Sequence, residues 1–119
     1  MKVQNYRDDC LFCKIIEGEI PSSKVFEDNF TYAFRDINPQ APTHILVVPK
    51  THIKSCADIT PANDELVGHI FSTIATIAKN EMLEKGFRVV SNSGEDACQS
   101  VPHLHFHILA GKPLTDRMG

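Results

Sequence analysis

The sequence carries no excess of positive charge: 12 basic residues stand against 15 acidic ones, for a formal net charge of −3. A general nucleic-acid binder usually presents a basic face, so this balance argues against nucleic acid as a partner. A small phosphorylated ligand stays open, because backbone N–H groups and a few histidines can hold a phosphate. No apolar run approaches the ~20 residues that a membrane span needs. Nor does a signal-peptide core follow Met1-Lys2-Val3-Gln4-Asn5-Tyr6. The expectation is a cytoplasmic chain without a membrane partner, whose four cysteines serve as thiols or metal ligands rather than as a disulfide framework. Repeats, low-complexity tracts and linkers are missing too. At 119 residues, one domain over 1–119 is expected, large enough for a core and small enough to gain from dimerisation.

What is present reads as a mixed fold. Cys10-Leu11-Phe12-Cys13-Lys14-Ile15-Ile16 predicts about two helical turns, stopped by Gly18 and Pro21. Lys24-Val25-Phe26-Glu27 and Phe30-Thr31-Tyr32-Ala33-Phe34-Arg35 flank Asp28-Asn29 as a hairpin. Two prolines make the stretch from Asp36 to Pro42 a loop, whereas the β-branched run from His44 to Pro49 suits a central strand. Thr60 as N-cap and Pro61 at the first helical position open a long helix. In it Leu66, Ile70, Ile74, Ile77 and Met82 keep helical spacing up to a cap at Gly86. Unbroken, residues 61–85 would span roughly 37 Å. Phe87 to Ser91 predicts a further strand, and a polar loop from Asn92 to Ser100 leads to the last one. The sum is an α+β domain with about five mostly antiparallel strands, one long helix and a short N-terminal helix.

That last strand holds the chain's strongest chemical signal, His103-Leu104-His105-Phe106-His107. Extended backbone sends alternate side chains to opposite faces, so three imidazoles are expected to point one way, roughly 6.6–6.8 Å apart. Leu104, Phe106 and Ile108 then point into a core. Single strand histidines are usually structural, but burying three without partners is costly. His-x-His on a strand can present two nitrogens to one zinc, or one ring can attack an electrophile while its neighbours position it. Spacing alone leaves both readings open.

The surroundings narrow them. Gln99-Ser100-Val101-Pro102 leads into the three histidines, Leu109-Ala110-Gly111-Lys112-Pro113-Leu114 follows them, and Asp36-Ile37-Asn38-Pro39-Gln40-Ala41-Pro42-Thr43-His44 lies upstream. Together these closely resemble the histidine triad (HIT) family of nucleotide hydrolases and transferases, over about residues 10–114. The ending is most similar to its Hint branch, the purine-nucleoside phosphoramidases. The resemblance implies a HIT-like sheet, a purine nucleotide substrate and a homodimer. It makes His105 the nucleophile toward an α-phosphorus, with His107 and His44 against the phosphate oxygens and Ser100 donating toward the phosphate or the leaving-group atom. Asp36 would accept from the ribose hydroxyls, Asn92 would assist at sugar or phosphate, and Leu11, Phe12, Ile37 and Leu46 would form an apolar slot for the base. The 98–101 turn, with Cys98 and Val101, would offer backbone N–H groups to the phosphate. A Ser-hydrolase triad is not supported, since no Gly-x-Ser-x-Gly elbow is present. A dinucleoside polyphosphate hydrolase and a nucleotide-binding regulatory module are the competing functions.

Cys10-x-x-Cys13 is ambiguous by itself: a redox pair, half of a zinc site, or accidental. Some HIT proteins and the related galactose-1-phosphate uridylyltransferases carry a structural zinc on such a pair, with a histidine after a Pro-Lys-x segment and the first triad histidine. Carried over, the ligands are Cys10, Cys13, His52 and His103, which leaves His103 a positioning part in catalysis. Such a zinc has no open position and so no catalytic role. Cys56 reads as a small buried or edge residue. Ala97-Cys98 stands where the family usually has Gly-Gly, which puts the geometry of that loop in question.

Overall fold

The computed structural model describes residues 2–118. Five strands form one antiparallel open sheet: β1 (Lys24–Glu27), β2 (Thr31–Arg35), β3 (Thr43–Pro49), β4 (Arg88–Val90) and β5 (Phe106–Ala110), in the spatial order β1-β2-β3-β5-β4. The α+β expectation holds. β3 lies in the middle because it can be buried on both faces, and its two faces separate the core into halves. Ile45 and Val47 face a cluster with Ile70, Ile74, Ile77, Leu104, Phe106 and Ile108, whereas Leu46 and Val48 face one with Phe12, Cys13, Ile15, Ile16 and Phe34. The first half is covered by α2 (Asp64–Asn80) and the second by α1 (Leu11–Ile16). Each fully buried isoleucine such as Ile70 stabilises the fold by roughly 1.5–3 kcal/mol relative to an exposed one.

α1 has the two turns its sequence suggests. Its N-cap is Cys10, whose sulfur accepts the Cys13 backbone N–H at 3.3 Å, and Gly18 at φ +83° turns the chain away. α2 is shorter than the sequence suggests. Thr60 and Asn63 form a reciprocal capping box, but it caps a 3₁₀ turn over Pro61–Asn63, and the α-helix begins only at Asp64. At the other end the helix stops at Asn80 rather than running to Gly86. Met82 takes φ +56°, Leu83 N donates to Ala78 O at 3.0 Å and Met82 N to Lys79 O at 3.1 Å. This is a Schellman closure with methionine in the position that usually carries glycine, and it corrects the expected span.

The last strand also differs from expectation. Ladder pairing starts at Phe106, so only His107 of the three histidines lies within β5, and His103 sits in a bend. The alternation survives the loss of pairing: Leu104, Phe106 and Ile108 are buried on the α2 side, while the Phe12 ring packs against both His103 and His105. Gly111, at φ +97°, ends β5 where a Cβ would come within 2.8 Å of Pro42, so backbone and start of β3 approach closely there. Cys56 is exposed in a 3₁₀ turn (Cys56–Asp58), contrary to the buried or edge place expected of it.

Candidate active site and metal centre

His105 is 3% exposed, and its ring is held on two sides. Its edge meets the Phe12 ring at a centroid distance of 5.0 Å and an angle of 88°. Its Nδ1 donates to the His103 carbonyl oxygen at 2.7 Å. A carbonyl can only accept, so the proton is fixed on Nδ1 and the lone pair is left on Nε2. Burial lowers the His105 pKa, against the opposing pull of the His103 carbonyl and Asp36, so the neutral ring dominates at pH 7.

A second chain of bonds fixes the neighbouring rings. The Gln40 backbone N–H donates to His44 Nδ1 at 3.0 Å, which places the His44 proton on Nε2. His44 Nε2 lies 2.8 Å from His107 Nδ1 and 3.5 Å from Asp36 Oδ2. The shorter bond makes His107 Nδ1 an acceptor and leaves its own N–H on Nε2. His107 therefore offers a donor where His105 offers a lone pair, with ring centroids 5.1 Å apart. Burial pushes His107 down to about 4, reinforced by the His105 and His44 rings. Nothing in the sequence pattern signalled Gln40, because its contribution is a backbone amide.

Beside these rings lies a cleft of about 190 Å³ whose lining includes Leu11, Phe12, Asp36, Ile37, Leu46, Ser100, Val101, His105 and His107. All nine were singled out from the sequence. Ile15, Pro21, Ser22, Phe34 and Arg35 line it as well and were missed; Arg35 at least adjoins Asp36. His44 stands behind His107 and does not line the cleft, and Asn92 and Cys98 are not among its lining residues. Ile37 is fully exposed and Leu11 is 44% exposed, an uncovered apolar rim at the mouth. Cys98 takes φ +60°, the backbone conformation that the usual glycine would adopt freely.

Behind His103 the other sequence-predicted group comes together. His103 Nε2 donates to Pro49 O at 3.0 Å, so its bare Nδ1 faces inward, 3.3 Å from Cys10 Sγ, 3.6 Å from Cys13 Sγ and 3.1 Å from His52 Nδ1. All four ligand atoms lie within 4.8 Å of one another. Sulfur and nitrogen at ~2.3 and ~2.0 Å from a tetrahedral ion would be about 3.3–3.8 Å apart along the edges, so this donor set fits zinc. Burial, with the Cys10 sulfur adding to it, pushes the Cys13 thiol up to about 11, and burial with the His52 and His105 rings pushes His103 down to about 4; a cation among them would favour thiolate and neutral imidazole together. The N-terminal segment is stitched to the same place, with Gln4 O accepting from His52 N at 2.8 Å.

Residues 17–114 match the HIT domain family. The chain belongs to the histidine triad family. A histidine triad protein from Clostridium difficile, solved at 0.95 Å, is similar to this HIT protein at 53% identity and a TM-score of 0.91, over 94% of this chain and 98% of that one. The purine nucleoside phosphoramidase of Escherichia coli K12 is 41% identical over 108 residues, 90% of this chain and 91% of that protein. A 14 kDa zinc-binding protein of Zea mays is 47% identical over 106 residues, 87% of this chain and 83% of that protein. None of the helices described in this HIT protein is long and apolar enough to cross a membrane.

Proposed function

We propose that this HIT protein hydrolyses purine nucleoside 5′-phosphoramidates, or related nucleoside 5′-monophosphate esters, through a covalent nucleotidyl-His105. The observation that carries this reading is the bond from His105 Nδ1 to the His103 carbonyl, which leaves Nε2 as a neutral nucleophile beside the cleft. In the first step Nε2 forms a bond to the α-phosphorus while the P–N bond to the amine breaks, and the amine leaves with a proton taken up from solvent, which the attacking water gives back in the second step. In the second, water attacks phosphorus, the P–Nε2 bond breaks and the nucleoside monophosphate is released. His107 Nε2–H, held in that tautomer by His44, stabilises the charge growing on the phosphate oxygens. Ser100 donates toward the phosphate or the leaving atom. Asp36 accepts from the ribose hydroxyls, and the apolar rim of Leu11 and Ile37 covers the base.

The polyphosphate reading is the less favoured one. Of the residues lining the cleft only Arg35 is basic, and its guanidinium is taken by Glu81 at 2.8 Å. A chain of several phosphates would meet little positive charge there. Comparing turnover of adenosine 5′-phosphoramidate with that of a diadenosine polyphosphate decides between them: preference for the second overturns the assignment. A purely regulatory nucleotide binder would instead keep its biological effect in a His105→Ala variant.

The cofactor of this reading is one structural zinc on Cys10, Cys13, His52 and His103, supported by the fit of the donor set and by the zinc-binding relative. Bound there, it would staple α1 and the N-terminal segment to the backbone that carries His105. The partner is a second copy of the chain. Phe71 on α2, Met82 just beyond it and Phe87 just before the edge strand β4 are 48%, 76% and 41% exposed, which suits a dimer. Light scattering that gives a dimeric mass would support it, and a monomeric mass at micromolar concentration would reject it.

A further inference from the structure

Where the β4–β5 ladder ends, a side chain continues it. The last pair is Val90 opposite His107. One residue further along, Ser91 Oγ donates to the carbonyl oxygen of His105 at 2.8 Å. That carbonyl belongs to the same residue whose ring supplies the attacking nitrogen. Ser91 also opens the 91–100 loop, which ends in Ser100 at the cleft. A second bond completes the hydroxyl: Cys56 Sγ donates to Ser91 Oγ at 3.4 Å, and the Cys56 backbone N–H donates to Ser93 Oγ at 3.3 Å. The serine oxygen thus accepts from one side and donates to the other, which orients its proton at His105.

We propose that Ser91 is a positioning residue for His105, fixing the peptide of the nucleophile through its carbonyl and locking the phosphate-side loop to it, with Cys56 holding the serine hydroxyl in that orientation. The inference rests on the reading of His105 as nucleophile. Its physical basis is that His105 lies outside the ladder, so its backbone takes no part in the regular β4–β5 pairing that fixes His107. The ring is tied to His103 and packed on Phe12, yet a ring is only as well placed as its own Cα. Neither Ser91 nor Cys56 lines the cleft, so both are placed to act through His105.

The test uses the full chain with Ser91→Ala, Ser91→Thr and Cys56→Ala. Ser91→Ala is expected to lower kcat for adenosine 5′-phosphoramidate about tenfold with KM within about twofold, the pattern of a group that acts on the transition state and not on binding. Ser91→Thr keeps the hydroxyl and restores kcat; Cys56→Ala falls between. The readout independent of turnover is the His105 Nδ1–H resonance of ¹⁵N-histidine protein, expected to shift or broaden in Ser91→Ala and to return in Ser91→Thr. Unchanged kcat and an unchanged resonance in Ser91→Ala overturn the proposal. So does a parallel loss of thermal stability and nucleotide affinity that threonine fails to rescue, since that marks a structural serine. If the wild-type chain itself turns over no phosphoramidate, the functional reading fails, while the resonance still decides whether Ser91 positions His105.

Discussion

His103 serves two sites at once: its ring nitrogen Nδ1 faces the sulfurs of Cys10 and Cys13, and its carbonyl oxygen accepts the Nδ1–H of His105 at 2.7 Å. The residue that would be a metal ligand also fixes the tautomer of the His105 ring. Backbone placement at one site is therefore backbone placement at the other.

Loss of the metal should consequently reach the active site. Cys10→Ser protein is expected to contain substoichiometric zinc, to melt several degrees below the unmodified chain and to lose part of its kcat. Elemental analysis, a thermal melt and turnover on one preparation check this. Absence of zinc from the unmodified protein would end the zinc assignment, and full activity after zinc loss would show that the two sites are uncoupled.

Removing the His105 ring should do the reverse. His105→Ala is expected to cut turnover roughly 10³-fold or more while zinc content and nucleotide binding persist. Because its ring leaves a space beside Phe12, a modest fall in melting temperature is also expected.

The pH dependence follows from burial of the cleft rings. Burial, with the His105 and His44 rings adding to it, places His107 at about 4 against an ordinary 6.5, and burial lowers His44 as well. Activity should therefore stay level from pH 8 to 6.5, with an acid limb below the ordinary imidazole value. Stability has the same sign. Above pH 6.5 both folded and unfolded rings are neutral and the contribution is fully present. As pH falls from 6.5 toward 4 the unfolded chain binds protons first, so stability is lost over that window. Urea midpoints measured across it should fall with decreasing pH.

Met82 at φ +56° and Cys98 at φ +60° sit in left-handed backbone without being glycine, as does Asn5 at φ +59°. Met82→Gly should stabilise the chain by ~0.5–1 kcal/mol, because relief of the conformational cost outweighs the added freedom of the unfolded glycine. Cys98→Gly should behave alike, whereas Cys98→Val should destabilise. Denaturant midpoints at matched slopes measure both.

These two positions also show where the sequence was legible and where it was not. Strand periodicity and β-branched runs located β3 and the hairpin, because they report burial directly. The helix end was hidden, since Met82 has no sequence signature for φ +56° and Gly86 offered a more ordinary stop. The cleft residues were legible through family resemblance, not through chemistry alone: Ile37 is fully exposed, the opposite of what an isolated isoleucine suggests. The four residues of the candidate metal centre could be named because cysteine and histidine announce themselves. The bonds that set the tautomers of His44 and His105 could not, because a backbone amide at Gln40 and a backbone carbonyl at His103 make them.

The function proposed for this HIT protein stands or falls on the covalent nucleotidyl-His105 intermediate. Protein quenched rapidly in alkaline denaturant, which preserves the acid-labile P–N bond, during turnover of adenosine 5′-phosphoramidate should carry one nucleotidyl group, and peptide mapping should place it on His105. An adduct on His103, His107 or His44, or none at all under steady turnover with rapid quenching, would contradict it.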